Sequence, residues 1–456
     1  MYDLKIINSK IIDMETGEEK TCDIGIKDGI IVDVGNCHGS GEIEIDANLN
    51  ITSPGFIDIH IHEEEIDNVI KTNSFDVTNK MILEGVTTAV AGNCGSNKQS
   101  IKKLADYINN CGAPINYLSY VGHRYLRGLA GNIDPYSKAS ERQIKQMAEE
   151  VNKSLEDGAI GISFGLEYSP GADFEEIISL LDLVKNRDIL LAAHYRKDAK
   201  YGIDSIKELI EVSKCTSLPM QISHIGSCTA FGMMEESLEI VQNAVDEGID
   251  LLADCYPYDA FEASIGSPVF DEGCFELWNK SYDSIMLSEG PYRGKRCDKN
   301  LFLKLREEYP TTLAIAYVMN EDEVIKALQA AFVMIGSDGF FKKNQGHPRG
   351  AGTFPRVFKK YVREMNKLSL RDALRKMTVM PAERLGLANK GKLKVGFDAD
   401  IVIFNPETVA DKATFDEPTI PPEGIKYVIV GGKVAVEDNV LLNNRLGRFI
   451  ERKQEI

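Results

Sequence analysis

Eight short apolar runs, spaced along the middle of the chain and separated by helix-period segments, constrain its fold more than any other feature. They are FIDIHIH, TTAVAGNCG, INYLSYVGH, AIGISFG, ILLAAHYR, MQISHIG, LLADCYP and FVMIGSDG, all between residues 56 and 339. The spacers include ASERQIKQMAEEVNKSLEDG and GMMEESLEIVQNAVDEG, where apolar residues return at helical intervals. A strand followed by a helix, repeated eight times, predicts an α/β fold of the (β/α)8 TIM-barrel type. One stretch breaks the rhythm. Residues 261–312, with clustered Gly, Pro and charge, are too many for a simple loop and predict an insertion over the barrel mouth.

The chain ends have a different texture. LKIINSKIID, CDIGIKDG, IIVDVG and EIEIDANLNI near the start, and GKLKVGFDADIVIFN and IKYVIVGGKVAVEDN near the end, are β-like runs broken by Gly, Asn and Asp turns. Neither group is long enough to bury a sheet face alone, so the two ends are expected to pair into one small β-sandwich. The expected division is residues 1–52 and 390–456 for the sandwich and 53–389 for the barrel.

In such a barrel the chemistry belongs at the C-terminal ends of the strands. There the runs place His60 and His62, Cys94, His123, His194, His224, then Asp254 with Tyr256 and Tyr258, and finally Asp338. The chain has seven histidines, and five of them stand at these ends. His60 and His62, two apart in PGFIDIHIHEEE, would project from the same face of a strand. Burying several imidazoles without partners is costly, so their convergence favours a metal site over isolated core histidines. Imidazole and thiolate are donors that Zn2+ prefers, and a catalytic site leaves one position open to water. A carboxylate beside it can take and return a proton. Asp338, flanked by glycines in GSDG, is the expected general acid and base. Plainer readings exist: Cys94 as an apolar filler, Asp338 as a turn former, His123 as a strand cap, Arg349 as a loop residue. Glu63 to Glu65 read as a solvated helix start.

The set PGFIDIHIH, GVTTAVAGNCGS, GAIGISFGLEYSPG, AHYR, QISHIG, DCYPYDA, IGSDG and HPRGAGTFPRVFKKYVRE resembles the amidohydrolase superfamily, within it the N-acyl-D-amino-acid deacylases, or D-aminoacylases. The resemblance runs from about residue 1 to 450 and includes MTVMPAERLGL and KLKVGFDADIVIF. It implies a Zn2+-dependent hydrolase of a linear amide bond in an N-acyl-D-amino acid, with one or two ions per subunit. His60 and His62 would hold one metal position beside Asp338. His194 and His224 would complete the other with Cys94, which stands in for the carboxylated lysine of dihydroorotases and hydantoinases; AIGISFG carries no lysine. Arg349 would bind the substrate's carboxylate, helped by Tyr256 or Tyr258, and His123 would hydrogen-bond near the scissile carbonyl. Glu167 would either reach the metals and substrate or make a structural hydrogen bond in its loop. One position departs from the pattern. Gly226 stands where relatives commonly carry a lysine, so a substrate-facing cation is missing, and Lys342 or Lys343 could replace its charge.

The net charge of −18 argues against nucleic acid and anionic membranes as partners. The N-terminus lacks the apolar core of a signal peptide, and the nine cysteines are scattered without a CxxC pair, so a cytoplasmic protein with free thiols is expected. The expected partner is a small carboxylate-bearing molecule, and association into a homo-oligomer is compatible with all of this. Two rivals remain: a cyclic amidohydrolase of the hydantoinase or dihydroorotase kind, and a catalytically silent scaffold of the same fold.

Overall fold

The computed structural model describes residues 1–184 and 187–451. Each apolar run contains a parallel barrel strand: β1 (Phe56–Asp58), β2 (Val86–Ala91), β3 (Asn116–Ser119), β4 (Gly161–Gly165), β5 (Leu190–His194), β6 (Met220–Ile222), β7 (Leu251–Cys255) and β8 (Val333–Ile335). β1 to β3 pair in order, as do β4 to β8. Val121–Gly122, the continuation of β3, pairs with β4, and Ile61 bridges Gly339 beyond β1 and β8, so the ring closes. Strand residues are buried throughout, apart from Leu252, which is half-buried. That is why the runs read as continuous apolar stretches: helices cover one face and the barrel interior the other.

The chain ends meet as the sequence suggested. Strands from both termini form one nine-stranded sheet in which Ile51–Pro54 pairs with Ile401–Phe404. Leu4, Ile6, Ile24 and Ile26 share one apolar cluster with Ile401, Ile403 and Ile429. Ile30 bridges Asp398, so the sheet curls back on itself. Phe404 of this sheet stacks on Phe358 at 4.8 Å and meets Phe56 of β1 edge-on at 6.1 Å, which seats the β-rich part against the barrel. Beyond Leu441 the chain leaves the sheet; Gly447 and Phe449 bridge Ala113 and Tyr117 of the barrel.

The segment after β7 forms a small antiparallel sheet of Phe261–Ser264, Ile285–Leu287 and Leu313–Ala316, with helices Cys274–Trp278 and Lys299–Glu308. Its first and last strands pair with each other, so it reaches four residues past the expected end at 312. No helix among the described residues is long and apolar enough to cross a membrane.

Candidate metal centre and active site

Three of the polar residues beyond the strand ends have left-handed backbone: Cys94 (φ 52°) after β2, His224 (φ 34°) after β6 and Asp338 (φ 50°) after β8. For a residue with a Cβ this conformation costs on the order of 1–3 kcal/mol, and it persists only where surrounding structure enforces it. Here hydrogen bonds do so. The Asp338 N–H donates to the His60 carbonyl (2.8 Å), the His224 N–H donates to Asp254 Oδ1 (2.8 Å), and the Gly95 N–H beside Cys94 donates to Ser163 Oγ (3.0 Å).

The consequence is two overlapping donor sets. His60, His62, Cys94 and Asp338 form one, and Cys94, His194 and His224 the other, with the ligand atoms of each within 4.8 Å of one another. Cys94 Sγ lies 3.3 Å from His60 Nε2 and 3.4 Å from His224 Nε2. His194 Nδ1 is 3.1 Å from His224 Nε2, and His62 Nε2 is 3.0 Å from Asp338 Oδ1. Such separations suit donors around one tetrahedral Zn2+, where each metal–ligand bond is about 2.0–2.3 Å.

The far sides of three of the four imidazoles support the same conclusion. Metal-binding histidines use one nitrogen for the ion and orient the ring through the other. Ser227 Oγ is 2.9 Å from His224 Nδ1, and Glu167 Oε2 is 3.0 Å from His194 Nε2. Asp254 Oδ1 lies 3.2 Å from His60 Nδ1, a close contact whose alignment is not that of a hydrogen bond. His60 Nε2, His224 Nε2 and His194 Nδ1 are left facing Cys94. Burial alone would push the Cys94 thiol up; the imidazoles of His60 and His224 outweigh it and hold it well below the usual thiol range, as thiolate. Burial would likewise raise Asp338, but the Arg349 guanidinium and the hydrogen bond from His62 hold its carboxyl well below the usual carboxylate range. The donor set therefore fits Zn2+ in chemistry and in spacing.

Several candidate residues lie elsewhere than the sequence suggested. His123 does not join the centre. It begins the helix His123–Leu129, and its Nε2 is 3.0 Å from Glu176, which also pairs with Arg127. Tyr256 belongs to the inner pocket and lies under the Arg349 guanidinium at 4.7 Å, but Tyr258 does not; its ring packs on His347 and under Arg356. Glu167 Oε2 meets His194 Nε2, so this residue orients the ring of a candidate ligand, and it also lines the inner pocket. Glu63 and Glu64 are buried, not solvated: Glu63 accepts from the N–H groups of Gly92 and Lys98 around the Cys94 loop, and Glu64 from Val77, Thr78 and Tyr117. Only exposed Glu65 sits at a helix start, Ile66–Thr72. A Cβ on Gly226 would meet Cys255 Sγ at 3.0 Å and Met319 at 3.3 Å, so this position faces packed interior. Lys342 pairs with Glu289 at 2.8 Å on the cavity wall, whereas exposed Lys343 does not line the cavity.

A cavity of about 780 Å3 opens from His62, Cys94 and Asp338 to the surface, within the range of small-molecule sites. Arg349 lines it, 4% exposed, with Nη1 2.9 Å from Asp338 Oδ2; Nη1 and Nε have no aligned hydrogen-bond partner. Tyr168, Ser227, Asp254 and Glu262 also belong to the site. Asp254 ends an apolar run and Tyr168 lies in SFGLEYSPG, so both carried a signal. Glu262 is the second residue of the insertion and carried none. Its Oε1 accepts from Ser288 at 2.6 Å, and burial pushes its carboxyl up to about 7.

Two models described as amidohydrolase family match residues 51–264 and 330–436. A D-aminoacylase from Alcaligenes xylosoxydans xylosoxydans is 30% identical, covering 99% of this chain and 98% of its own. The chain belongs to the D-aminoacylase family of amidohydrolases. A solved D-aminoacylase, described with a binuclear metal centre, one-metal activation and second-metal attenuation, superposes with a TM-score of 0.89 at 28% identity over 99% of this chain and all of its own. An N-acyl-D-glutamate deacylase from Bordetella bronchiseptica, solved with zinc and a phosphonate mimic of the tetrahedral intermediate, gives 0.87 at 29% identity over 99% of this chain and all of its own. In this D-aminoacylase relative, the ring-orienting role of Glu167 is directly testable. Glu167→Ala should lower zinc affinity about 10–100-fold, read by competition with a chelator; unchanged affinity would mean that His194 needs no support.

Proposed function

We propose that this chain is a zinc-dependent deacylase that hydrolyses the amide bond of N-acyl-D-amino acids. The observation that carries the reading is the shared sulfur: Cys94 joins two histidine-rich donor sets, with Asp338 and Arg349 paired at their edge. The named activities of the relatives supply the amide and the D configuration. His60, His62 and Asp338 would hold one ion, and His194, His224 and Cys94 the other, with Cys94 common to both. Zn2+ bound there supplies a water nucleophile of lowered pKa and polarises the acyl carbonyl.

The protein side chains do the rest. Asp338, anionic at neutral pH, accepts the proton released as water attacks and delivers it to the departing amide nitrogen. Arg349, whose Nε and Nη1 are buried without aligned partners, takes the substrate α-carboxylate in its planar fork. Its ion pair with Asp338 sets the distance between the carboxylate and the proton carrier. Tyr256 supports the guanidinium from below. The cyclic amidohydrolase alternative is not favoured, because β4 offers no lysine and Cys94 occupies the shared position.

The test is a panel of enantiomeric N-acetyl amino acids, with zinc content measured on the same sample. Turnover confined to the D series supports the reading, and turnover confined to the L series or to a cyclic diamide rejects it. Arg349→Lys, which keeps the charge and loses the fork, should raise KM about 10–100-fold with kcat less affected. An unchanged KM would remove Arg349 from carboxylate binding.

A further inference from the structure

The cavity wall contradicts the charge of the molecule around it. The chain carries −18 overall, yet the cavity is lined by Lys98, Arg124, Arg127, Lys342 and Arg349 against Asp134, Glu262 and Asp338. Three of these cations are already matched: Arg127 by Glu176, Lys342 by Glu289 and Arg349 by Asp338. On the acidic side, Glu262 is held by Ser288 and Asp134 accepts from the Tyr136 N–H. Lys98 and Arg124 are exposed and have no ion pair among the described residues.

Both stand beside the metal centre. Lys98 lies four residues after Cys94, and its Nζ rests 5.3 Å from the centre of the Phe340 ring. Phe340 in turn packs edge-on against His62 at 6.4 Å. Arg124 emerges next to the Cys94 loop: its backbone N is 3.3 Å from where a Cβ on Gly95 would lie, and the following Tyr125 N–H donates to the Gly95 carbonyl at 3.0 Å. Glu63 fixes the same loop by accepting from the Lys98 N–H at 2.7 Å. The two cations are thus anchored on elements whose positions the centre itself depends on.

We propose that Lys98 and Arg124 form a second anion subsite on the cavity wall, which receives a further carboxylate of the substrate beyond the one held by Arg349. The inference rests on the deacylase reading above. A second carboxylate can come from two places: the side chain of a dicarboxylic D-amino acid, or the far end of a dicarboxylic acyl group. Focusing by low-dielectric walls raises the local concentration of such an anion on an otherwise acidic protein.

The test compares kcat/KM for N-acetyl-D-glutamate with N-acetyl-D-glutamine, which has the same shape without the charge, and for N-succinyl-D-alanine with N-butyryl-D-alanine. The expected result is a preference of about two- to thirtyfold for the anion in one pair, the range that two exposed cations of ordinary surface ion-pair strength supply. The pair that shows it tells which end carries the carboxylate. Raising ionic strength should shrink the ratio. In Lys98→Ala/Arg124→Ala, checked for unchanged zinc content and melting temperature, the ratio should fall to about one. Equal rates within both pairs, or a ratio that survives the double substitution, overturns the subsite. Absence of turnover on all four N-acyl-D compounds overturns the deacylase reading instead.

Discussion

Asp338→Asn should cut turnover about 10³-fold, within the 10²–10⁴ range of general acid–base catalysis, with zinc content nearly unchanged. Asn preserves the shape of the side chain and one oxygen donor beside His62. It cannot carry a proton from water to the leaving nitrogen. It also leaves the buried Arg349 charge without its partner, so a loss of stability of about 3–5 kcal/mol is expected as well. The measurement is steady-state kinetics on an N-acetyl-D-amino acid, with metal content and melting temperature on the same preparation. Near-normal turnover in a zinc-loaded, folded variant would remove Asp338 from proton transfer. Loss of zinc in step with turnover would make it a ligand first.

Much of this arrangement was legible along the chain because one rule links sequence to place. A polar residue closing an apolar run lies at the barrel mouth, and His60, His62, Cys94, His194, His224 and Asp338 all obey it. His123 closes a run as well and still misses the centre. A helix begins at His123 itself, and the ring pairs with Glu176, 53 residues away, a partner that no local pattern announces. The resemblance offers Tyr256 and Tyr258 alike as helpers of Arg349. Both lie beyond the end of β7 at Cys255, where no strand period fixes a side chain's direction, and the Tyr258 ring packs under Arg356 instead.

The acids after His62 illustrate another limit. Three consecutive glutamates read as a solvated helix start, yet two are buried because loops return to them through backbone N–H groups. The backbone N–H is invisible in a sequence, as is the left-handed turn at Cys94 or His224, which no neighbouring residue announces. At Gly226 the sequence shows a missing lysine but not that the site is packed by Cys255 and Met319. The barrel was therefore readable from periodicity, while the supports of the centre depend on long-range hydrogen bonds.

Cys94→Ala should abolish zinc retention at the position shared with His194 and His224, leaving less than about one-tenth of an ion there, and lower activity at least about 10³-fold. Removing the thiolate leaves that set with two imidazoles, one ligand short of the three protein ligands of a catalytic zinc. The other set keeps His60, His62 and Asp338, and by count alone it could still hold an ion. Its weak point is charge, because the anionic sulfur 3.3 Å from His60 is gone. Cys94→Ser separates chemistry from shape: serine keeps the volume and the Cβ at φ 52°, but its hydroxyl stays protonated where the thiol ionises. If the shared thiolate assembles the centre, the serine variant should lose zinc almost as completely as the alanine variant while melting near the parent protein without metal. Zinc content and activity retained in Cys94→Ser would reduce Cys94 to a space filler and shift the centre onto the histidines and Asp338 alone.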